Sequence, residues 1–364
     1  MRILLALILA PQAFAAPFYT LTEIGTLGGP FSIGRAINSS GRVAGNSTLP
    51  SNTSHAISWS GSLTDLTPAH PNRSLAYGIN DSGQIVGIAD VDPSSSADRA
   101  FYFDGGPMQF FNSLAAVRSY AWDINNSGVA VGTLQEPFVG LYGVVWNSLT
   151  GTPQPLPVQI GTFTEALAIN DAGEMAGQIQ GPGLSHAMRL AGGTVQDLGT
   201  LGGSASTAYA ISENGLIAGT SDIAGGAYHA FVWDGTTMHD LGALAGGYSV
   251  ASGVNSAGFV AGYSYDAPFN IVGTLWEGST MHIMDDLVVN LNGRQIGQLL
   301  AINESGQITG MLRNGIGIRL DPVVPEPGPL GICGAGLALL FARRYFRVSQ
   351  STGKRARVNV AVRK

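Results

Sequence analysis

Three histidines recur at one place in a repeated segment, where His55, His186 and His229 each precede an alanine and a large apolar residue. Imidazoles at equivalent repeat positions could ring an axis and hold a metal, but the other four copies of the segment lack the histidine. Hydrogen bonding of a strand-start residue to a neighbouring sheet is the better expectation. A second candidate is acidic: Asp285 and Asp286 lie in the longest insertion between repeats, with Glu277 nearby. Carboxylates facing each other across a cleft could hydrolyse a glycosidic bond. Asp286-Leu287, however, matches an Asp-Leu pair found in other copies, which favours a structural role. A third candidate is calcium at turns such as Asn80-Asp81-Ser82-Gly83. A calcium loop needs six or more oxygens and a closing bidentate carboxylate. These turns supply at most one carboxylate each, and Ser39, Asn126 and Ser256 replace it in three copies, leaving room only for weak surface calcium.

No Gly-x-Ser-x-Gly elbow, phosphate-binding loop or His-Glu-x-x-His helix is present, so the sequence offers no catalytic residues and no cofactor. The single cysteine, Cys333, excludes an intramolecular disulfide and reads as a small apolar residue. Charge excludes another class of partner. Between Ala16 and Pro322 stand nine basic and 23 acidic residues, a net charge of about −14 that repels phosphate backbones. Nucleic acid is therefore not an expected ligand.

The elements that would position these groups are read from a repeat. The decapeptide Ala36–Gly45 has counterparts beginning at Gly78, Asp123, Ala168, Ala210, Gly253 and Ala301, at steps of 42 to 48 residues. Each copy reads as a hairpin: a strand ending in a small residue and Ile or Val, a polar triplet closed by Gly, and a second strand. Ahead of the isoleucine, large and small residues alternate. Tyr77, Trp122, Leu167 and Tyr209 fall on one face and Ala76, Ala121, Ala166 and Ala208 on the other. A large face meeting a small face suits sheets stacked against identical neighbours. A second hairpin follows in each unit, as in His229–Trp233, Asp234-Gly235 and Met238–Leu241. Four short strands in about 43 residues make one propeller blade.

The ends predict ring closure. Phe18–Ile24 precedes the first decapeptide and Gly315–Leu320 follows the last, and together they complete a seventh four-stranded sheet. Closure removes free sheet edges, which an open array would keep. The expected fold class is all-β: a seven-bladed β-propeller over residues 16–322 with closure by its N- and C-terminal strands. These repeats resemble the HAF family of extracellular bacterial repeat proteins, through His229-Ala230-Phe231, Asp197–Gly203 and Ala168–Gly177. The resemblance spans nearly all of residues 17–322; it implies a secreted or surface protein and brings no catalytic residues with it.

Two flanking segments read as sorting information. Residues 1–15 combine Arg2, an apolar run and an A-x-A site, with Ala13 and Ala15 ahead of Ala16, as in a secretory signal peptide. At the other end, a Pro-rich spacer over 323–329 precedes an apolar run over 330–342. Arg343 and Arg344 follow, within a segment 330–347, and a basic tail occupies 348–364. The run is short for a full bilayer crossing. Val324-Pro325-Glu326-Pro327, the apolar run and the arginines resemble the PEP-CTERM sorting signal of exopolysaccharide-producing Gram-negative bacteria. That resemblance implies transient inner-membrane insertion through 330–342, processing by an exosortase, and an extracellular or cell-surface destination. The tail beyond Arg347 is longer than the pattern usually allows. The expected function is a non-catalytic, exopolysaccharide-associated binding or structural module. A polysaccharide-acting enzyme using carboxylates on one propeller face is the alternative.

Overall fold

Two glycines of each repeat dictate the local geometry from which the architecture follows. The glycine closing the polar triplet (Gly41, Gly83, Gly128, Gly173, Gly215, Gly258 and Gly306) has φ between 76° and 86°. An L side chain seldom adopts that left-handed backbone, and it reverses the chain between the first and second strands. The decapeptide's last glycine answers a different demand. Each first strand carries a β-bulge, for example between Ala208 and Ala210. Beside it the carbonyl of Thr207 comes to 2.0 Å from where a Cβ on Gly219 would sit. The same approach, 1.9 or 2.0 Å, recurs at Gly45, Gly87, Gly132, Gly177, Gly262 and Gly310. Only a residue without Cβ can pair with a bulged strand this closely.

The computed structural model describes residues 18–323, except 92–97, 114–115, 138–139, 159 and 162. Within them the strands form seven four-stranded antiparallel sheets, as the repeat count predicts. In blade five the order is Gly202–Ile211, Ile217–Ile223, Tyr228–Trp233 and Met238–Asp240, running outward from the axis. First strands of successive blades contact one another around the ring, which identifies them as the inner wall. The seventh blade is shared between the ends of the propeller. Ile296–Ile302, Ile308–Leu312 and Gly317–Pro322 are completed by Tyr19–Glu23, which pairs antiparallel with Gly317–Pro322. The closure expected from Phe18–Ile24 and Gly315–Leu320 is therefore present.

Seven apolar clusters lie between the blades. Between blades four and five, Ala176 and Ala187 of one sheet meet Ile217, Phe231 and Trp233 of the next. Between blades one and two, Ala44 and Ala56 meet Ile85 and Phe101. Small-on-large packing lets adjacent sheets approach while filling the wedge between them. Polar groups lock the same interfaces. The amides of Ala56, Ala100, Ala187 and Ala230 donate to the hydroxyls of Ser74, Ser119, Ser206 and Ser249 on the next blade, at 2.7–2.9 Å. Gly317 donates likewise to Ser32 across the closing seam, at 2.8 Å.

The histidines do not bond a neighbouring blade as expected from sequence. Nδ1 of His55, His186 and His229 pairs within its own blade, with Asp65, Asp197 and Asp240 at 2.9 Å. Each aspartate also accepts an amide two residues on, from Thr67, Gly199 or Gly242. The clasp fixes where the outer strand turns toward the next blade, and the interblade bond falls to the alanine that follows each histidine.

The match of Asp286-Leu287 to the repeated Asp-Leu pair also shifts. Ile283 pairs with Thr274 where Asp240 pairs with Phe231, so Ile283-Met284 occupies the place of Asp240-Leu241. Asp285 and Asp286 lie beyond it on a single helical turn, Met284–Leu287. This insertion covers the exposed side of the closing strand. Val289 donates to the carbonyl of Tyr19 at 2.9 Å, and the Asn290 carboxamide bonds both the amide and the carbonyl of Leu21. Such a cover blunts an edge that could otherwise recruit another strand.

Candidate functional site

Bulges determine what the inner wall presents to the axis. The bulged residue of each first strand is Arg35, Tyr77, Trp122, Leu167, Tyr209, Ser252 or Leu300, each at least partly exposed although it lies within a strand. On the side of blades one to three these residues pack together. The Arg35 guanidinium lies 5.1 Å from the Tyr77 ring centre, and Tyr77 meets Trp122 edge-on at 5.0 Å. The Trp122 indole donates to Thr133 and Glu165, both at 3.0 Å, so this half is filled.

The half formed by blades five to seven is open. Ser252 is small where its counterparts are large, and a cavity of about 600 Å³ lies between the inner strands of those three blades. Its wall combines the rings of Tyr209, Tyr228 and Tyr263 with Thr207, Asp222 and Gln298. Tyr228 lies at the start of the third strand of blade five, and Tyr263 lies in Phe259–Tyr265 of blade six. Burial and the neighbouring Tyr265 push the hydroxyls of both Tyr228 and Tyr263 up to about 12. They therefore remain neutral hydrogen-bond donors and acceptors throughout the physiological range. Asp222 accepts a hydrogen bond from the Ser204 hydroxyl at 2.9 Å and is the one carboxylate among the lining residues. No lysine, arginine or histidine is among them. The arrangement can stack a ring or flat apolar face and hydrogen-bond polar groups at its edge.

The opposite mouth carries the polar triplets, which the structure joins into a belt. The Asn38 carboxamide donates to the Asn80 carbonyl, Asn80 to Asn125, Asn125 to Asn170, and Asn170 to Ser212, at 3.0–3.2 Å. Ser212 cannot reach onward, and Asn214 takes over by donating to the Ser256 carbonyl. Asn255 to Asn303 and Asn303 to Asn38 close the circle, at 3.2 and 2.8 Å. Outside this belt, Asp81, Asp171, Glu213 and Glu304 each accept the amide of the preceding blade's turn. The turn carboxylates are thus committed to interblade bonds. Among the described residues no three His, Cys, Asp or Glu side chains are grouped so as to hold a metal ion.

Asp123 borders this mouth where the other copies have Ala or Gly, and a pocket of about 230 Å³ lies there. Its oxygens accept the amides of Ile124 and Ile169 at 2.8 and 3.0 Å. Burial pushes its carboxyl up to about 7 against the pull of those amides, with Glu213 and Asp171 adding to the rise. Asp81 moves the other way: although burial raises it, bonds from Ser39 and Asn126 hold it below the usual range.

Of the acidic candidates, Asp285 and Asp286 share one helical turn, and Asp285 and Glu277 each have a local partner. Asp285 accepts the amide of Ile296 at 2.8 Å, which anchors the insertion to the first strand of blade seven. Glu277 ends a third strand and faces His282 at 3.8 Å. The sorting residues Val324, Pro325, Glu326, Pro327, Arg343 and Arg344, with the cleavage residues Ala13, Ala15 and Ala16, lie outside the described residues. So do the apolar run 330–342 and the tail. No helix among the described residues is long and apolar enough to cross a membrane.

No protein-family model and no curated protein matches the chain. Solved propellers do. YCF48 bound to D1 peptide superposes with a TM-score of 0.50 at 11% identity, over 85% of this chain and 96% of that one. TolB from Acinetobacter baumannii gives 0.45 at 15% identity, over 78% of this chain. The propeller domain of the Trilobed protease from Pyrococcus furiosus gives 0.48 at 9% identity, over 84% and 93% of the two chains. The likeness is one of fold alone. The chain spans 63% of the TolB structure's length.

Proposed function

We propose that this protein is an exported, non-catalytic binding module of the cell surface or extracellular matrix, and that its ligand is a polysaccharide held in the axial cavity. The observation that carries this reading is the cavity between blades five and seven, where Tyr209, Tyr228 and Tyr263 stand beside hydroxyl, carboxamide and carboxylate groups. A sugar offers the complement: a C–H face for an aromatic ring and hydroxyls that both donate and accept. Hydrolysis by paired carboxylates needs two such groups roughly 5–10 Å apart. Asp222 stands alone in that respect among the residues lining the cavity.

Export rests on the two flanking segments. The signal-like residues 1–15 send the chain across the inner membrane, and the run 330–342 holds it there until an exosortase-type enzyme processes the segment marked by Val324–Pro327. Replacing Glu326 and Pro327 with Ala is expected to leave a full-length, membrane-retained form in the host, read by cell fractionation and intact mass. Unchanged release of a shortened product would remove the sorting reading.

The ligand is tested with the full-length chain and the host's own exopolysaccharide, following co-sedimentation and new reducing ends together. Retention without new ends, abolished by Tyr228→Ala with Tyr263→Ala, is the expected result. New ends would establish an enzyme in place of a binder, and retention untouched by the tyrosine substitutions would move the site elsewhere.

A further inference from the structure

The aromatic wall does not end at the cavity. Tyr228 lies 4.8 Å from Tyr248, and Tyr248 lies 6.3 Å from Phe269. A second branch runs from Tyr263 to Tyr265 at 6.0 Å and on to Tyr248 at 6.4 Å. Five of the chain's eleven tyrosines fall between positions 209 and 265 and share this one side of the ring. The outer end is displayed deliberately by its backbone. Phe269 is 62% exposed and has φ +63°, a left-handed conformation that a bulky side chain seldom takes. Its turn is locked: the Phe269 amide donates to the Asp266 carbonyl at 2.8 Å, and the Asp266 carboxylate accepts both the amide and the carboxamide of Asn270. An exposed phenylalanine on a pinned turn, in line with partly exposed rings, is a platform whose geometry exists before any ligand arrives.

Charge narrows what can lie on it. The cavity contains Asp222 and no cation, and the body carries about −14 overall. No lysine, arginine or histidine lines the cavity to neutralise an anionic polymer, and Arg73 is held by Asp90 and Asp98 in blade two. A chain bearing a carboxylate or phosphate on each unit would meet repulsion without a compensating contact. Neutral sugars escape that penalty, and amino sugars gain from Asp222.

We infer that Tyr248, Tyr265 and Phe269 extend the cavity into a track for a polymeric neutral or amino-sugar glycan of several units, and that the track rejects uronate and phosphate polymers. This rests on the polysaccharide reading above and adds to it length and charge. Successive rings make the ligand a chain lying along blade six, with one end seated between Tyr209, Tyr228 and Tyr263. Ring stacking of this kind is sequence-tolerant, so linkage and charge decide selection more than the identity of one sugar.

The test titrates the full-length chain with di- and hexasaccharides of glucose, glucosamine and mannuronate, by calorimetry at low and moderate salt. Glucose or glucosamine hexamers are expected to bind more tightly than the dimers, and mannuronate not at all. Phe269→Ala should weaken hexamer binding about three- to tenfold and leave the dimer unchanged. Equal affinity for dimer and hexamer, or a Phe269→Ala variant identical to wild type, overturns the track while leaving a cavity that binds the dimer. Mannuronate binding as tight as the others overturns the charge argument. Binding of none of these oligomers overturns the glycan class itself, as does a tyrosine-dependent preference for a proline-rich peptide used as control. Circular dichroism melting of Phe269→Ala, expected to be nearly unchanged because the ring is exposed and alanine keeps the same Cβ in the turn, separates loss of contact from loss of fold.

Discussion

Replacing Asp123 with Ala should flatten the pH dependence of stability. Six of the seven repeats already carry Ala or Gly at this place, so the ring accommodates the change. Its folded pKa of about 7 lies above the value near 3.9 of an unfolded aspartate. Between pH of about 4 and about 7 the folded chain therefore holds a proton that the unfolded chain has released. Stability contributed through this group falls as pH rises across that window and is level above it. Three pH units correspond to about 4 kcal/mol. The carboxylate borders the channel mouth and is only half-buried, which reduces the effect to roughly 1–3 kcal/mol by solvent screening. For a domain of this size that is a change of about 2–5 °C in melting temperature. Alanine also forfeits the amide bonds to Ile124 and Ile169, so the variant should be the less stable protein at pH 4, should gain on wild type up to about pH 7, and should keep a constant offset beyond it. Melting curves of both proteins from pH 4 to pH 8 read the difference directly. Parallel curves, with a constant offset, would show that Asp123 titrates normally and that its burial carries no such penalty.

Closure and the interblade bonds give three further expectations. Tyr19→Ala empties a nearly fully buried site on the closing strand and should cost about 3–5 kcal/mol, read by denaturant titration; a loss below 1 kcal/mol would mean the seventh blade is not held by its N-terminal strand. Asn80→Ala removes the link to the Asn125 carbonyl and leaves the Gln84 amide without its side-chain acceptor, for a loss of about 1–3 kcal/mol. Amide exchange should accelerate at the turns flanking position 80, and unchanged exchange there would dissolve the belt as a unit. Ser206→Ala leaves the buried Ala187 amide unpaired and should cost about 1–3 kcal/mol, whereas Ser204→Ala, at an exposed site, should cost well under half of that by the same titration.

The ring was legible because its determinants are local and repeated. The αL glycine, the alternation that ends in Ile or Val, and the split seventh unit each follow from residue types at fixed spacing. The bulge was not legible. Strict period two places Tyr77 and Ala76 on opposite faces, and nothing in that pattern announces that Tyr77 is the extra residue aimed toward the axis. Its signature was present as the glycine of the second strand, Gly87, whose need appears only when the Leu75 carbonyl is seen 2.0 Å away. The His-Asp clasp was missed for a related reason. His229 and Asp240 are eleven residues apart in the chain, and only the pairing of Phe231 with Asp240 brings their side chains to one edge.

A repeat protein advertises what every copy needs, and those needs concern the ring. His229, Ala230, Phe231 and Asp240 are spent on a clasp, an interblade bond, a core contact and a turn. A ligand that binds once breaks this symmetry, so its residues must lie where the copies disagree. The bulge column is such a place: it reads Arg, Tyr, Trp, Leu, Tyr, Ser, Leu around the axis, while the residue before it is Ala in five of the seven copies. Arg35, Tyr77 and Trp122 use that freedom to fill one half, and Ser252 uses it to open the other. Enlarging Ser252 to Leu, the residue at two equivalent positions, should therefore narrow the cavity and weaken retention of polysaccharide while leaving the melting temperature within about 2 °C, as befits a volume added to empty space. A Ser252→Leu variant that binds as tightly as wild type would place the ligand outside the axis, on the surface the copies share.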